Sequence, residues 1–177
     1  MALESSSWGR VIGALGSPAR TFRSIAERPS WWPPLAVLLA CGLAVFFLVA
    51  LRTDFEAVTR EALARQGREL DDAKVAQIAG LQRGLGWLFE LVASPLLYAG
   101  AALVFWVSFK LLGGELDYRQ SLGTTLHALL PGALASLLSI PAILGRRAFS
   151  LDDLQLGTVL PTSLAALAPP ESGLVLR

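Results

Sequence analysis

The sequence predicts an all-α integral membrane protein, a polytopic bundle of three transmembrane helices with amphipathic helices at the membrane surface. Hydrophobic residues make up 54% of the 177 residues and charged residues 16%. An ordinary soluble domain has about a quarter of its residues charged. Mean hydropathy is +0.55, and the few charges are clustered so that long uncharged stretches remain. These observations argue against a soluble enzyme.

Three stretches are long enough to cross a bilayer, which requires about 20 apolar residues in a helix. The first, 29–51, contains no charged residue, the second, 85–109, contains only Glu90, and the third, 121–145, contains only His127. We therefore place a three-span membrane domain at 31–145. Within it, the loop 52–84 holds six basic and six acidic residues, and we expect a helical hairpin or bent helix outside the membrane.

Residues 1–30 predict two short amphipathic helices lying in the headgroup region. Apolar residues recur at helical spacing from Trp8 to Leu15, and Ser17-Pro18 is typical of the start of a second helix. Basic amphipathic helices of this kind often lie on a membrane surface, where aromatic residues anchor them. The alternative is a helix packed on a partner or on the protein itself. The expected interfacial anchors are Trp8, Phe22, Trp31 and Trp32.

Two further segments are predicted from local patterns. In the loop, Thr53 to Glu56 matches a capping box with Thr53 as the cap. The carboxy-terminal segment 146–177 contains no run of about 20 apolar residues, so we expect an extramembrane or interfacial tail. Counting Lys and Arg on the two sides of the spans does not decide the membrane orientation.

The third span carries a stripe of small residues at helical spacing. Small side chains let helix backbones approach closely in lipid, where no hydrophobic force drives helices together. We expect this stripe to form a helix-helix contact, and a matching small cluster occurs at 99–102 in the second span. The predicted packing residues are Thr125, Ala128, Gly132, Ala135, Ser136 and Ser139.

Glu90 and His127 are the candidate functional residues within the spans, because an ionisable group at membrane depth is a functional hypothesis by default. For His127 the alternatives are a neutral, hydrogen-bonded structural residue and a proton relay or ligand-binding group. For Glu90 they are a structural carboxylate, partnered by Ser94 or the amino-proximal loop, and part of an ion path. The two residues lie too far apart along their helices to form a direct pair.

Several classes of site find no support in the sequence. The lone Cys41 excludes an internal disulfide and a cysteine-cluster metal site. No reactive constellation, glycine-rich phosphate loop or basic patch with interleaved aromatic residues occurs. We therefore expect no catalytic residue, no cofactor, no metal, no nucleic acid and no soluble small-molecule substrate.

Two segments carry patterns of a known family. The first is SPARTFRSIAERPSWWPPL, with the pattern P-x-x-x-F-x-x-I-x-x-x-P, and the second is LLGGELDYRQSLGTTLHALLPGAL. Both resemble bacterial members of the Yip-domain family, relatives of the Ypt/Rab-interacting membrane proteins. The residues that match the family's patterns are Pro18, Phe22, Ile25 and Pro29 in the first segment, and Gly113, Gly114, Tyr118, Leu122 and Pro131 in the second.

The resemblance implies a polytopic helical protein without catalytic activity, with five spans and a cytoplasmic amino terminus. Its eukaryotic relatives act in vesicle trafficking and bind small GTPases. This chain shows three spans and lacks a long amino-terminal domain, so we expect a form without the family's last two spans. It is either a truncated molecule or a shortened member that needs a partner.

The function predicted from these features is a non-enzymatic scaffold or interaction protein in the bilayer, with a role in membrane trafficking or organisation. Its expected partners are the lipid bilayer and another membrane protein or a second copy, and its expected location is the bacterial cytoplasmic membrane. The alternative is a transporter or channel component that uses Glu90 or His127 in a proton or ion path.

Overall fold

The computed structural model of the chain describes residues 6–145, 148–151 and 154. These residues form helices and connecting turns, with a single bridge between Thr53 and Phe149 and no strand. The described helices are α1 (Ser7–Gly16), α2 (Pro18–Glu27), α3 (Trp32–Ala50), α4 (Phe55–Arg65), α5 (Asp72–Leu111), α6 (Tyr118–Ala128), α7 (Leu130–Leu138) and α8 (Ile140–Gly145). The predicted tail 146–177 lies outside the described residues, apart from 148–151 and 154.

The predicted fold class is confirmed, since the described chain is all-helical and three helical segments are long and apolar enough to cross a membrane. These segments are Trp32–Ala50, Asp72–Leu111 and Tyr118–Gly145. The described chain divides into two compact units. The first consists of 6–43 and 88–134, and the second of 44–87 with the described residues from 135 onward.

The second span continues the loop's second helix without a break. Asp71 accepts a hydrogen bond from the Lys74 amide at 2.8 Å and so caps the start of α5, which then runs for 40 residues and includes Pro95. By composition, the sequence predicts a charged helix in the loop followed by a separate apolar span. The helix nevertheless continues from Arg83 to Leu88 without a break, because isolated glycines weaken a helix without ending it.

The third span is interrupted twice, at Leu129 and at Ser139. Each interruption lies two residues before a proline, Pro131 or Pro141. Proline has no amide hydrogen to donate to the carbonyl four residues earlier, and its ring crowds that carbonyl. These two prolines therefore coincide with the helix boundaries between α6, α7 and α8, whereas Pro95 lies inside the continuous helix α5.

The start of α4 differs from the predicted capping box. Asp54 is the cap, and its carboxylate accepts from the amides of Glu56 and Ala57, both at 3.1 Å. The Thr53 hydroxyl donates instead to the Val49 carbonyl at 2.8 Å. The Thr53 hydroxyl therefore bonds to the last turn of α3 and does not cap α4. The prediction of Thr53 as the cap was wrong by one residue.

In the first unit, α1, α2 and α6 pack against one another. The Gln120 side-chain amide donates to the Ala26 carbonyl at 2.7 Å, which joins the start of α6 to the end of α2. A Cβ placed on Gly123 would lie 3.2 Å from the Ser30 carbonyl oxygen and 3.4 Å from Ile25, so glycine permits this close approach. The buried hydrophobic core consists of Ala14, Leu38, Cys41, Leu126, Leu130 and Ala133.

A glycine pair and three side-chain hydrogen bonds connect α5 to α6. Gly113 has a positive φ of 82°, and the Gly114 amide donates to the Phe109 carbonyl at 2.8 Å, which ends α5. The Tyr118 hydroxyl then donates to the Ala99 carbonyl at 3.0 Å. Equivalent bonds run from Ser121 to Ala102 at 2.8 Å and from the Trp106 indole to Leu116 at 3.1 Å.

The second unit holds α4 against the first turns of α5. Thr59 is buried and donates to the Gln82 side chain at 3.0 Å, and Arg60 forms an ion pair with Asp72 at 2.7 Å. Val75 is buried in the same unit. The charged loop thus folds as a helical pair with its own small core.

Candidate functional site

Helix α1 exposes its apolar side chains and buries a charged one. Trp8, Ile12 and Leu15 lie on one face and are exposed, with Ile12 at 76%. Arg10 and Ala14 lie on the opposite face and are buried. A helix in water has the reverse arrangement, with its apolar face toward the core. The exposed apolar face therefore fits a helix that lies on a lipid surface.

Arg10 is held inside the first unit by the end of α2. Its side chain is 7% exposed, and its Nη1 donates a hydrogen bond to the Arg28 carbonyl oxygen. Its Nε atom is buried and has no hydrogen-bond partner among the described residues. Burial, followed by repulsion from the Arg28 guanidinium, lowers the pKa of Arg10. Folding therefore disfavours the charged form of the Arg10 guanidinium relative to an arginine in water.

A pocket of about 340 Å³ lies beside Arg10. Arginines from three elements line it: one from α1, one from the end of α2 and one from the first turn of α6. We call it the arginine pocket. Its lining residues include no acidic side chain, and they are Ser7, Arg10, Arg28, Pro29, Ser30, Trp31, Trp32 and Arg119.

Ser30 supplies a neutral polar group to the arginine pocket. The side chain is buried, and its hydroxyl has no hydrogen-bond partner among the described residues. Buried polar groups in proteins are nearly always hydrogen-bonded. The hydroxyl and the Arg10 Nε atom are thus two buried polar atoms, on residues that line this pocket, that the described chain leaves unsatisfied.

Three of the four predicted interfacial anchors meet at this pocket. Trp8 packs edge-on against Trp32, with ring centroids 5.1 Å apart and an interplanar angle of 89°. Trp31 and Trp32 are exposed and line the pocket, while Phe22 is half-buried on α2. The exposed indoles lie where the first span begins, although their insertion into a headgroup layer remains a prediction.

His127 lies in the last turn of α6 and is fully buried. Its Nδ1 atom is 2.7 Å from the Gly123 carbonyl oxygen. Because a carbonyl only accepts, Nδ1 carries the hydrogen, and Nε2 is the acceptor in the neutral form of the ring. Nε2 is buried without a partner among the described residues.

Glu90 is half-buried on α5, one element away from His127. Its carboxylate occupies the space that a side chain at Gly42 would fill, so glycine on α3 makes room for it. No hydrogen bond joins Glu90 to the predicted partner Ser94 among the described residues, so a partner for the carboxylate remains a prediction. No ion pair or hydrogen bond joins Glu90 to His127 among the described residues.

The predicted packing stripe does not form one buried face. Thr125 and Ser139 are buried, Ala135 and Ser136 are half-buried, and Ala128 and Gly132 are exposed. The interruptions at Leu129 and Ser139 change the helical phase along the stripe. A contact of its exposed members with another helix remains a prediction.

Comparison with known proteins identifies the family. The Yip1 domain matches residues 12–173. The chain belongs to the Yip1 domain family. This confirms the resemblance seen in the sequence. "Membrane protein YknW" of Bacillus subtilis (strain 168) is 26% identical over 164 residues, which cover 93% of this chain and 67% of that protein. No solved structure matches the chain significantly.

The residues that resemble the Yip1 family patterns have clear local roles in this Yip1 chain. Pro18 is the first residue of α2, and Ile25 is fully buried. Gly113 adopts the positive φ that ends α5, Tyr118 bonds back to that helix, and Pro131 accompanies the break after α6. The arginine pocket lies between these two segments, and the sequence patterns alone do not single it out.

Proposed function

We propose that this integral membrane protein acts as a non-enzymatic interaction protein in the bacterial cytoplasmic membrane. In this role it binds a second membrane protein, or a second copy of itself, through its spans. One observation carries the proposal: α5 exposes Gly100 and Ala101 in the middle of its apolar segment.

The exposure of small residues matters more here than the exposure of apolar ones. In the most apolar 18-residue window of α5, 6% of the residues are buried within the chain, against 22% in α3. Lipid alone can cover large apolar side chains. Glycine and alanine, however, let a second helix approach closely enough for dispersion contacts, which drive association within lipid. A Cβ on Gly100 would meet no other atom within 4 Å, so this face has room for a partner.

Family membership supports this role in general terms. The Yip1 resemblance implies a helical membrane protein without catalytic activity. More specifically, we propose that the protein takes part in membrane trafficking or organisation. Identifying its partner would test this role.

The test compares association of the full chain with that of Gly100→Leu in mild detergent extracts of its own membranes. We expect the wild-type chain to form a cross-linked complex with a second copy or with another membrane protein, and Gly100→Leu to lose that complex. Val92→Phe is the control, because it adds bulk to an exposed site two turns earlier on α5. A monodisperse monomer with no cross-linked product from wild-type membranes would refute the proposal.

One observation favours a second function, a transporter or channel component. His127 is fully buried within the third span, and its Nε2 atom has no hydrogen-bond partner among the described residues. A proton path needs such a protonatable acceptor within a span. Proton flux into vesicles that contain the full chain, and its loss in His127→Gln, would favour this function over the first.

A further inference from the structure

The arginine pocket concentrates positive charge without an acidic counterpart. Arg10, Arg28 and Arg119 come from three separate elements, and none forms an ion pair in the described part of the chain. Like charges that converge in this way repel one another, so the arrangement is costly unless an anion offsets the charge. Arginine side chains are well suited to phosphate, because the planar guanidinium can donate two parallel hydrogen bonds to its oxygens.

Two residues that line the pocket carry buried donors without partners. Arg10 Nε and the Ser30 hydroxyl are buried, with each residue 7% exposed, and neither atom has a hydrogen-bond partner in the described chain. Leaving buried donors unsatisfied lowers the stability of the folded state. Phosphate oxygens accept several hydrogen bonds at once, so a bound phosphate would accept from both residues once their side chains turn toward the pocket.

The surroundings of the pocket favour a phosphate that carries acyl chains. Trp31 and Trp32 line the pocket and stand at the start of the first span. Trp8, exposed on α1, packs against Trp32 and extends this apolar rim. The pocket volume of about 340 Å³ lies within the range of ligand sites and can hold a phosphate with part of its glycerol. Basic residues at this depth are typical of binding to anionic lipids.

We propose that the arginine pocket is a specific site for the headgroup phosphate of an anionic glycerophospholipid. The phosphate lies between Arg10, Arg28 and Arg119 and accepts a hydrogen bond from Ser30. The acyl chains leave the pocket beside the exposed indoles. This site is separate from the helix-association face on α5 that the proposed function uses.

The test is a lipid titration of the purified full chain in detergent, read by native mass spectrometry. Phosphatidylglycerol and phosphatidylcholine with identical acyl chains are the two probes. We expect tighter binding of one phosphatidylglycerol molecule. Arg28→Gln and Arg119→Gln should each weaken that binding about fivefold, as expected for one arginine at an anionic surface. Both side chains are exposed, so these variants should keep the fold.

Two further variants distinguish specific lipid binding in the arginine pocket from non-specific attraction of anionic lipid to basic helices. Arg23→Gln removes the same charge from an exposed position of α2 outside the pocket lining, and it should leave phosphatidylglycerol binding unchanged. Ser30→Ala changes no charge and removes a hydroxyl that has no partner in the described chain. It should weaken binding without lowering the thermal stability of the lipid-free chain, because the hydroxyl it removes is buried and unsatisfied there.

Three outcomes would overturn the proposal. The first is equal binding of phosphatidylglycerol and phosphatidylcholine. The second is an equal loss in Arg23→Gln and in the pocket variants, which would show diffuse attraction by basic helices. The third is arginine-dependent binding of inorganic phosphate, measured by calorimetry at millimolar concentration, with no preference for phosphatidylglycerol. That result would assign the pocket to a free phosphate.

Discussion

Single glycines decide how closely elements of the first unit approach one another. Gly123 lies where α6 crosses the segment between α2 and α3, and its missing side chain leaves room for the Ser30 backbone. The same residue provides the carbonyl that accepts from His127. Gly84 on α5, in contrast, faces open space. The two positions therefore differ in what a methyl group would meet.

We expect Gly123→Ala to destabilise the chain by about 1–3 kcal/mol, the usual cost of overpacking a close contact. The added Cβ would lie 3.2 Å from the Ser30 carbonyl oxygen, and backbone atoms cannot move aside as a flexible side chain can. Thermal unfolding in detergent, followed by circular dichroism, measures the effect. Gly84→Ala is the matched control and should stabilise its exposed helix by about 0.5–1 kcal/mol. Equal effects at the two sites would contradict the packing at Gly123.

At the scale of elements, the start of α6 is defined by a reciprocal cap. The Asp117 carboxylate accepts from the Gln120 amide at 2.7 Å, and the Gln120 side chain accepts from the Asp117 amide at 2.9 Å. The Gln120 side-chain amide also donates to the Ala26 carbonyl. The cap therefore positions the first turn of α6, which contains Arg119 of the arginine pocket.

We expect Asp117→Ala to lower stability by about 1 kcal/mol, because it leaves helical amide groups without an acceptor. The thermal midpoint in detergent should fall, and Asp117→Asn should restore most of the loss because an amide oxygen can also cap. Glu115→Ala removes the same charge two residues earlier, at an exposed position outside α6, and serves as the control. An equal fall in Glu115→Ala would attribute the effect to charge and not to capping.

Helical elements could be predicted where a local sequence pattern determines them. They could not be predicted where their bounds depend on the structure of adjoining segments. Composition alone predicts three spans, because 20 apolar residues in a row are a property of the chain itself. The merger of the loop helix with the second span has no such signal, since charge ends near Arg83 while the backbone continues to Leu111. A proline in a span indicates that a helix can break and not that it does: breaks lie two residues before Pro131 and Pro141, whereas α5 continues through Pro95.

At the scale of the whole molecule, the functional residues were harder to predict than the spans. Glu90 and His127 stand out in the sequence because they are isolated in apolar surroundings. Arg10, Arg28 and Arg119 do not, since each lies among other polar residues and only tertiary packing brings them together. One sequence signal was available: Arg10 lies on the face of α1 opposite Trp8 and Ile12, the face that packs inward.

The order of the spans fixes which exposed segments share a side of the membrane. The segment before α3 and the turn between α5 and α6 are separated by two candidate spans, while the turn after α4 follows only one. The bond from Gln120 to Ala26 places the end of α2 beside the start of α6 within the first unit. Both facts predict that α2 and the α5–α6 turn face the same compartment.

Cysteine accessibility in oriented vesicles tests this arrangement, with Arg23→Cys, Gln66→Cys and Glu115→Cys each introduced into a Cys41→Ser chain. All three positions are exposed, whereas the native thiol is buried. We expect a membrane-impermeant maleimide to label Arg23→Cys and Glu115→Cys from one side and Gln66→Cys from the other. Labelling of all three from one side would refute α3 as a span, because about 30 Å of hydrocarbon must separate its two ends. The labelled side also establishes the orientation that the arginine and lysine counts leave open.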